Sequence, residues 1–190
     1  EVYDYGDYEN TFINSSIGKT YYALFQYILT VPKSISKAEY KKMFQSKLDS
    51  NKTDILFFYV VGMFFRRIFF IDKKWIETNL RMIFPESNSK NARASYIGYF
   101  TYNGRSNKEC FTMLKENKIY ELAFEIDFTR ENTAQRNFVN HLCSALTHNY
   151  ISLNDKIIDK ILIFENKELV NHLQSYFYHI TTKTNRASME

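Results

Sequence analysis

An apolar run from Ile55 to Ile71, interrupted only by Arg66 and Arg67, constrains this chain more than any other feature. As a helix, the run is apolar almost all round, and such a helix is stable only where neighbouring elements cover every side. A membrane span is the alternative, but spanning needs about 20 predominantly apolar residues, and paired arginines are costly in lipid. The run therefore predicts a buried helix at the centre of a folded domain.

A second, amphipathic segment follows directly, over residues 73–84. Trp, Ile, Leu and Phe recur in it at spacings of three and four residues, with Lys, Glu and Arg between them. Asp72 is suited to cap its start, and Pro85 ends it. A one-faced helix directly after an apolar helix is typical of a core element and its cover. The residues predicted to form the densest core are Phe57, Val61, Gly62, Phe65, Trp75, Leu80, Tyr96 and Gly98.

The predicted fold class is all-α. Only 5 Gly and 2 Pro occur in 190 residues, so the chain has few of the breakers that punctuate all-β folds. Apolar residues recur with a helical period in about nine segments joined by short loops. We expect these helices to form antiparallel pairs in an irregular, solenoid-like helical-repeat array. Gly62, inside the apolar helix, predicts a close crossing with another helix.

The polar segments at the two ends of the chain predict where the folded domain begins and ends. Residues 1–11 alternate tyrosine with acidic residues and are expected to be a linker from a preceding domain, with an acidic-aromatic docking segment as the alternative. Residues 12–182 are predicted to be the helical domain and residues 183–190 a disordered tail. The chain begins at Glu1 without a basic-then-apolar leader, which predicts a fragment of a larger cytoplasmic protein. Cys110 and Cys143 are expected to be buried, reduced thiols.

The charge pattern is mildly basic, with a formal net charge of +4 and Lys and Arg scattered over every amphipathic segment. Such scattering is typical of solvated helix faces, and we interpret most of these residues in that way. One cluster leaves an alternative open, because basic side chains near aromatic ones are suited to hold nucleic acid. Its basic members are Arg66, Arg67, Lys73, Lys74 and Arg81, and its candidate stacking partners are Trp75 and Tyr96.

The residue types that carry catalysis or metal binding occur without the spacing that the chemistry requires. The histidines form two pairs seven residues apart, and neither pair has the third and fourth ligands of a zinc site. Residues 18–20 read Gly-Lys-Thr, but a phosphate-binding loop would need glycine where Ile13 stands and a preceding apolar strand. The sequence therefore predicts no catalytic residue, no metal site and no cofactor.

Three stretches resemble a known family. Residues 14–27 fit an N-S-x-x-G start followed by A-L-(I/F)-x-Y. Lys74-Trp75-Ile76, Asn79-Leu80, Phe84-Pro85 and Ser95-Tyr96-Ile97-Gly98-Tyr99 resemble E-W-(V/I), N-L, F and A-W-x-G-F in that order. Residues 142–153 and 168–177 resemble A-x-Y-x-x-G-L-I-x-L followed by S-D-E-L and F. Together they resemble the helical C-terminal region of large bacterial anti-phage defence proteins, whose front ends are sirtuin-like or P-loop ATPase modules. Within that group, the chain resembles the sirtuin-associated C-terminal domain of unknown function.

The resemblance spans residues 12–182 and implies a helical sensor or scaffold without catalytic residues of its own. Its expected partner is a phage protein or the effector domain of the same protein. NAD-consuming or ATP-dependent chemistry would lie in a part of the larger protein that precedes Glu1. A helical nucleic-acid-binding module that uses the basic face from Arg66 to Arg81 is the alternative function.

Overall fold

Helices form all the regular secondary structure of the computed structural model, which describes residues 7–31, 33–50, 52–86, 89–105, 107–128, 130–163, 170–171 and 174–178. No strand occurs in these ranges, and residues 170–171 and 174–178 are also helical, so the predicted all-α class is confirmed. The helices are α1 Tyr8–Asn14, α2 Ser16–Thr30, α3 Lys33–Leu48, α4 Ile55–Ile71, α5 Lys73–Ile83, α6 Ser89–Tyr102, α7 Lys108–Glu116, α8 Ile119–Ala123, α9 Asn132–Thr147 and α10 Lys156–Ile163.

Short polar side chains begin the central helices, as their positions in the sequence predict. The Asp54 carboxylate accepts a hydrogen bond from the Phe57 N–H at 3.1 Å and starts α4. Asp72 ends α4 and starts α5, because its carboxylate accepts from the Trp75 N–H, also at 3.1 Å. Each bond satisfies a backbone donor that the first helical turn leaves free. The break between the two helices is therefore a single residue.

The array is organised around α4, which contacts α1, α2, α3, α5 and α6. Its residues from Leu56 to Phe65 are all buried. Because neighbours cover it on most sides, the helix can be apolar almost all round, as its sequence requires. Among the described residues, no helix combines the length and the apolar composition needed to cross a membrane.

The most extensive helix contact joins α4 and α6, and these two helices run in the same direction. Asn91 Oδ1 accepts from the Asp54 N–H near the start of both helices, and Asn103 Nδ2 donates to the Met63 carbonyl beyond the end of α6. The α5 helix runs back antiparallel to α4, because Ile83 at its end lies near Phe58 in the first turn of α4, where the Ser95 hydroxyl reaches the carbonyls of both residues. A short connection reverses direction once, and two reversals bring α6 parallel to α4.

All eight residues predicted to form the core are buried. Gly62 and Gly98 lie where α4 and α6 come closest, so the close crossing predicted from Gly62 is present. Trp75 is 7% exposed and packs beside Phe44, with ring centroids 6.0 Å apart.

The N-terminal part of the described chain is packed rather than extended. Residues 8–11, predicted to belong to a linker, lie in α1, and the Tyr8 side chain is 3% exposed. Tyr8 and Phe12 are four residues apart, so both rings lie on one face of α1 and contact the Tyr59 ring. The packed region therefore begins before the predicted boundary at residue 12. The predicted boundaries at residue 182 and of the tail lie outside the described residues, as do residues 1–6.

Candidate interaction surface

The five basic residues proposed as a binding face divide into two groups. Lys73 and Arg81, both on α5, are ion-paired: Lys73 Nζ lies 2.7 Å from Glu109 Oε1, and Arg81 pairs with Glu86. The hydrogen bond to Glu109 raises the pKa of Lys73. Lys74 is exposed on the same helix. The α5 part of the predicted basic face is therefore largely neutralised by carboxylates.

Arg66 and Arg67 form the second group, in the last turns of α4. The Arg66 guanidinium donates to the Arg105 carbonyl at 3.1 Å and lies 5.9 Å from the centre of the Phe70 ring. The Arg67 guanidinium lies 5.5 Å from the centre of the Phe64 ring. Within the described part of the chain, no carboxylate oxygen lies within 4.0 Å of Arg66, Arg67 or Arg105. This group therefore keeps its positive charge available at the surface.

Phe70 departs from the prediction that the apolar run is buried throughout. Its side chain is 56% exposed, and Arg67 and Phe70 are the two exposed residues of α4. Tyr22 of α2, which is 40% exposed, lies on the other side of Phe64 with ring centroids 5.5 Å apart. We call this surface the Arg-Phe patch. Its members are Tyr22, Arg66, Arg67, Phe70 and Arg105.

The two predicted stacking partners do not reach the surface. Trp75 is buried against Phe44, and Tyr96 is buried with its hydroxyl donating to the Ile119 carbonyl at 3.1 Å. The alternative in which these side chains stack on bases does not fit their burial, because each lies on the core-facing side of its helix. Their helical spacing predicts that they are core residues, and their burial confirms this prediction.

An open groove of about 590 Å³ separates α5 from α7. Its lining carries both signs of charge, two lysines against three glutamates, so it presents no field of a single sign to an anion or a cation. The lining residues are Lys73, Glu77, Lys108, Glu109, Thr112, Met113, Glu116 and Asn117.

His141 of α9 is buried in a polar network and not in a metal site. Its Nε2 contacts the Asn103 carbonyl oxygen, which only accepts, so Nε2 carries the proton. Nδ1 then accepts from the Tyr120 hydroxyl at 3.0 Å. Burial lowers the pKa of His141 to about 4, so the ring is neutral at pH 7. No group of three His, Cys, Asp or Glu side chains is placed for a metal ion among the residues whose positions are described.

Cys110 and Cys143 are both buried and free, as predicted for structural thiols. Burial raises the pKa of Cys143 to about 12, which keeps the sulfur protonated and unreactive at neutral pH. Neither residue adds a nucleophile to the surfaces described above.

No protein-family model, curated protein or solved structure matches this chain. The resemblance to sirtuin-associated defence proteins therefore stays a prediction, carried by the sequence stretches that suggested it.

Sequence reasoning found two members of the Arg-Phe patch and missed three. Arg66 and Arg67 were visible as charges inside an apolar run. Phe70 was also recognisable, because it lies three and four residues after them and so shares their side of the helix. Tyr22 and Arg105 come from other segments, and no local pattern connects either of them with α4.

Proposed function

We propose that this chain is a non-catalytic helical module that recognises another protein through the Arg-Phe patch. The observation that supports this function is the exposure of Phe70, a large aromatic side chain, beside two arginines on an otherwise buried helix. Protein interfaces are enriched in aromatic residues and arginine, and these residues carry most of the binding free energy. A single exposed apolar residue is common on protein surfaces, so the support comes from Phe70 and the two arginines together, which give this surface the composition of an interface.

The family resemblance suggests the setting of this recognition. In that setting the chain is a sensor or scaffold of a larger bacterial anti-phage defence protein in the cytoplasm. Its partner is a phage protein or the effector domain of the same protein. Helical arrays suit this role, because surface residues vary while the core is kept.

Nucleic-acid binding is the second candidate function, favoured by the three arginines of the patch, which have no carboxylate partner among the described residues. The arrangement on α5 weighs against it, because Glu109 and Glu86 pair with Lys73 and Arg81 and would repel phosphates. Salt dependence separates the two functions. Binding through phosphates weakens steeply as salt rises, because each phosphate contact releases counterions.

A photo-crosslinking amino acid in place of Phe70 tests protein recognition in the cell. We expect a discrete protein adduct at this position and none when the same amino acid replaces Leu153, which is 75% exposed on a different segment. Adducts that are equal at both positions, or adducts that contain nucleic acid only, would contradict the proposed function.

The non-catalytic part of the proposal has its own test. We expect the purified chain to hydrolyse neither NAD nor ATP and to leave DNA intact. In the larger protein that the resemblance implies, deletion of residues 12–182 should abolish the response to phage or release the effector from control. Hydrolysis by the isolated chain, or infection-triggered NAD or ATP depletion that is unchanged by the deletion, contradicts the proposal.

A further inference from the structure

We propose that the partner of the Arg-Phe patch is an acidic protein segment that also carries an apolar side chain. Carboxylates of the segment would pair with Arg66, Arg67 and Arg105, and its apolar side chain would pack on Phe70. This inference rests on the proposed function and names the chemical class of the partner.

The first argument is the charge balance of the described surface. Carboxylates lie within 4.0 Å of Lys41, Lys47, Lys73, Lys115 and Arg81. Other basic residues, such as Lys74 and Arg136, share with the three arginines of the patch the lack of such a neighbour in the described ranges, but Arg66 and Arg67 are adjacent in the sequence. Adjacent like charges repel each other, and an opposite charge from a partner would relieve that repulsion.

The second argument is that the guanidinium groups are already oriented. Arg66 uses one N–H on the Arg105 carbonyl and lies over the Phe70 ring, and Arg67 lies over the Phe64 ring. A guanidinium has five N–H donors in a planar fork that matches a carboxylate in a bidentate pair. Groups held in place by a ring lose less conformational entropy when they bind, so the same ionic contact gives a higher affinity.

The third argument is Phe70 itself. A partner with acidic residues alone would leave the Phe70 ring partly in water, whereas an apolar side chain packed on the ring removes both surfaces from water. Tyr22, in contact with Phe64, extends the aromatic surface toward α2. The patch is therefore an apolar centre with charges beside it, which is the usual anatomy of a protein interface.

Nucleic acid fits the same surface less well. A polynucleotide needs a track of positive charge along its backbone, and two of the three basic residues on α5, Lys73 and Arg81, already have carboxylate partners. The acidic segment needs only Arg66 and Arg67, which are adjacent, and Arg105, whose carbonyl contacts Arg66.

Fluorescence anisotropy with defined probes tests the proposal. The main probe is a short fluorescein-labelled peptide of alternating Glu and Ser around one Phe. The other probes are the same peptide with Lys for Glu, the same peptide with Ala for Phe, and single-stranded oligo-dT. We expect saturable binding of the main probe, with affinity lower by about tenfold for the Lys peptide and about fivefold for the Ala peptide.

Variants place the binding at the patch. The double variant R66E/R67E should weaken binding of the main probe by about tenfold or more, and Phe70→Ala by about fivefold. The double variant R136E/K156E changes the net charge equally at exposed positions on α9 and α10, and it should bind within about twofold of the parent chain. Circular-dichroism melts check that each variant is folded, and R66Q/R67Q replaces the first double variant if that variant is unfolded.

Three outcomes would overturn the inference: no saturable binding of the main probe, equal weakening by both double variants, or tighter binding of oligo-dT. A protein adduct at position 70 that persists unchanged in the charge-reversed variant would overturn the acidic partner and leave protein recognition standing. Loss of the adduct in that variant, together with tight binding of the main probe, supports both protein recognition and the acidic partner.

Discussion

Gly62 of α4 and Gly98 of α6 each lie directly against the backbone of the opposite helix. A Cβ atom on Gly62 would be 2.2 Å from the Ser95 carbonyl oxygen, and one on Gly98 would be 2.0 Å from the Tyr59 carbonyl oxygen. Both distances are far shorter than a van der Waals contact, and the obstructing atoms are backbone, which cannot rotate away. The two glycines therefore allow the closest approach between helices that the core depends on.

Replacement of either glycine by alanine should destabilise the protein, although alanine favours a helix by about 1 kcal/mol over glycine. The clash forces α4 and α6 apart, and overpacking of this kind typically costs about 1–3 kcal/mol. Gly62→Leu should destabilise the protein more than Gly62→Ala, because its side chain is larger. Chemical denaturation measures the effect, with Gly104→Ala as control, because a Cβ there meets only Asn137 side-chain atoms at 3.4 Å or more. A Gly62 variant more stable than the parent would disprove the close crossing.

Trp75→Ala should lower the free energy of unfolding by about 3–5 kcal/mol, the range for removal of a large buried aromatic side chain. The indole packs at the start of α5 against Phe44 of α3, so its loss leaves a cavity between two helices. Tyr27→Ala, at a position that is 50% exposed, is the control and should change stability by less than about 0.5 kcal/mol. Identical melting curves for the Trp75 variant and the parent would show that Trp75 is not a core residue.

Asp72 makes two separable contributions, a helix cap and an ion pair with Lys41 at 2.9 Å. Asp72→Ala removes both and should cost about 1–2 kcal/mol, mostly through the lost cap. Asp72→Asn keeps an acceptor for the Trp75 N–H and should cost about half as much, because Lys41 is partly exposed and its ion pair is weak. Denaturation at low and high salt separates the contribution of the ion pair from that of the cap, because salt screens only the ion pair. Equal losses in the two variants would show that the cap is unimportant.

The stability of the protein should fall as the pH drops from about 6.5 toward 4, owing to His141. The folded state holds the pKa of this ring at about 4, whereas an unfolded histidine titrates near 6.5, so the unfolded state binds a proton first. The resulting loss in the free energy of unfolding is at most about 3 kcal/mol. His141→Gln should flatten the pH dependence in that window, while His148→Gln, at an exposed position, should retain it. Denaturation series at several pH values compare the three proteins, and parallel curves for all of them would contradict this role of His141.

The helix ends were largely predictable because capping is local. Asp54 and Asp72 each bond to a backbone N–H three residues later, so the pattern that marks a cap lies within one turn of the chain. The amphipathic period of α5 likewise predicts which side chains face inward. Tyr8 was harder to predict, because its alternation with acidic residues resembles a linker, and only the Tyr59 ring opposite shows that it is packed.

The candidate surface was less predictable than the core. Lys73 and Arg81 had the same appearance in the sequence as Arg66 and Arg67, yet the first pair is neutralised and the second is not. The difference depends on Glu109 of α7, which the fold brings to Lys73, and on Glu86, which lies five residues after Arg81. The partners of His141 were equally unpredictable from local sequence, because Asn103 contacts it from just beyond α6 and Tyr120 from α8.

The sequence by itself determined that residues 55–71 form an apolar helix that begins after Thr53 or Asp54 and ends at Asp72, because period and capping act between residues less than two turns apart. Only the tertiary structure decided which neighbours cover that helix. It placed Gly98 opposite Gly62, so that two backbones meet, and it left Phe70 uncovered beside Arg66 and Arg67. Burial of a side chain depends on where distant helices pack, and that position results from the fit of all the helices together, which no local spacing encodes.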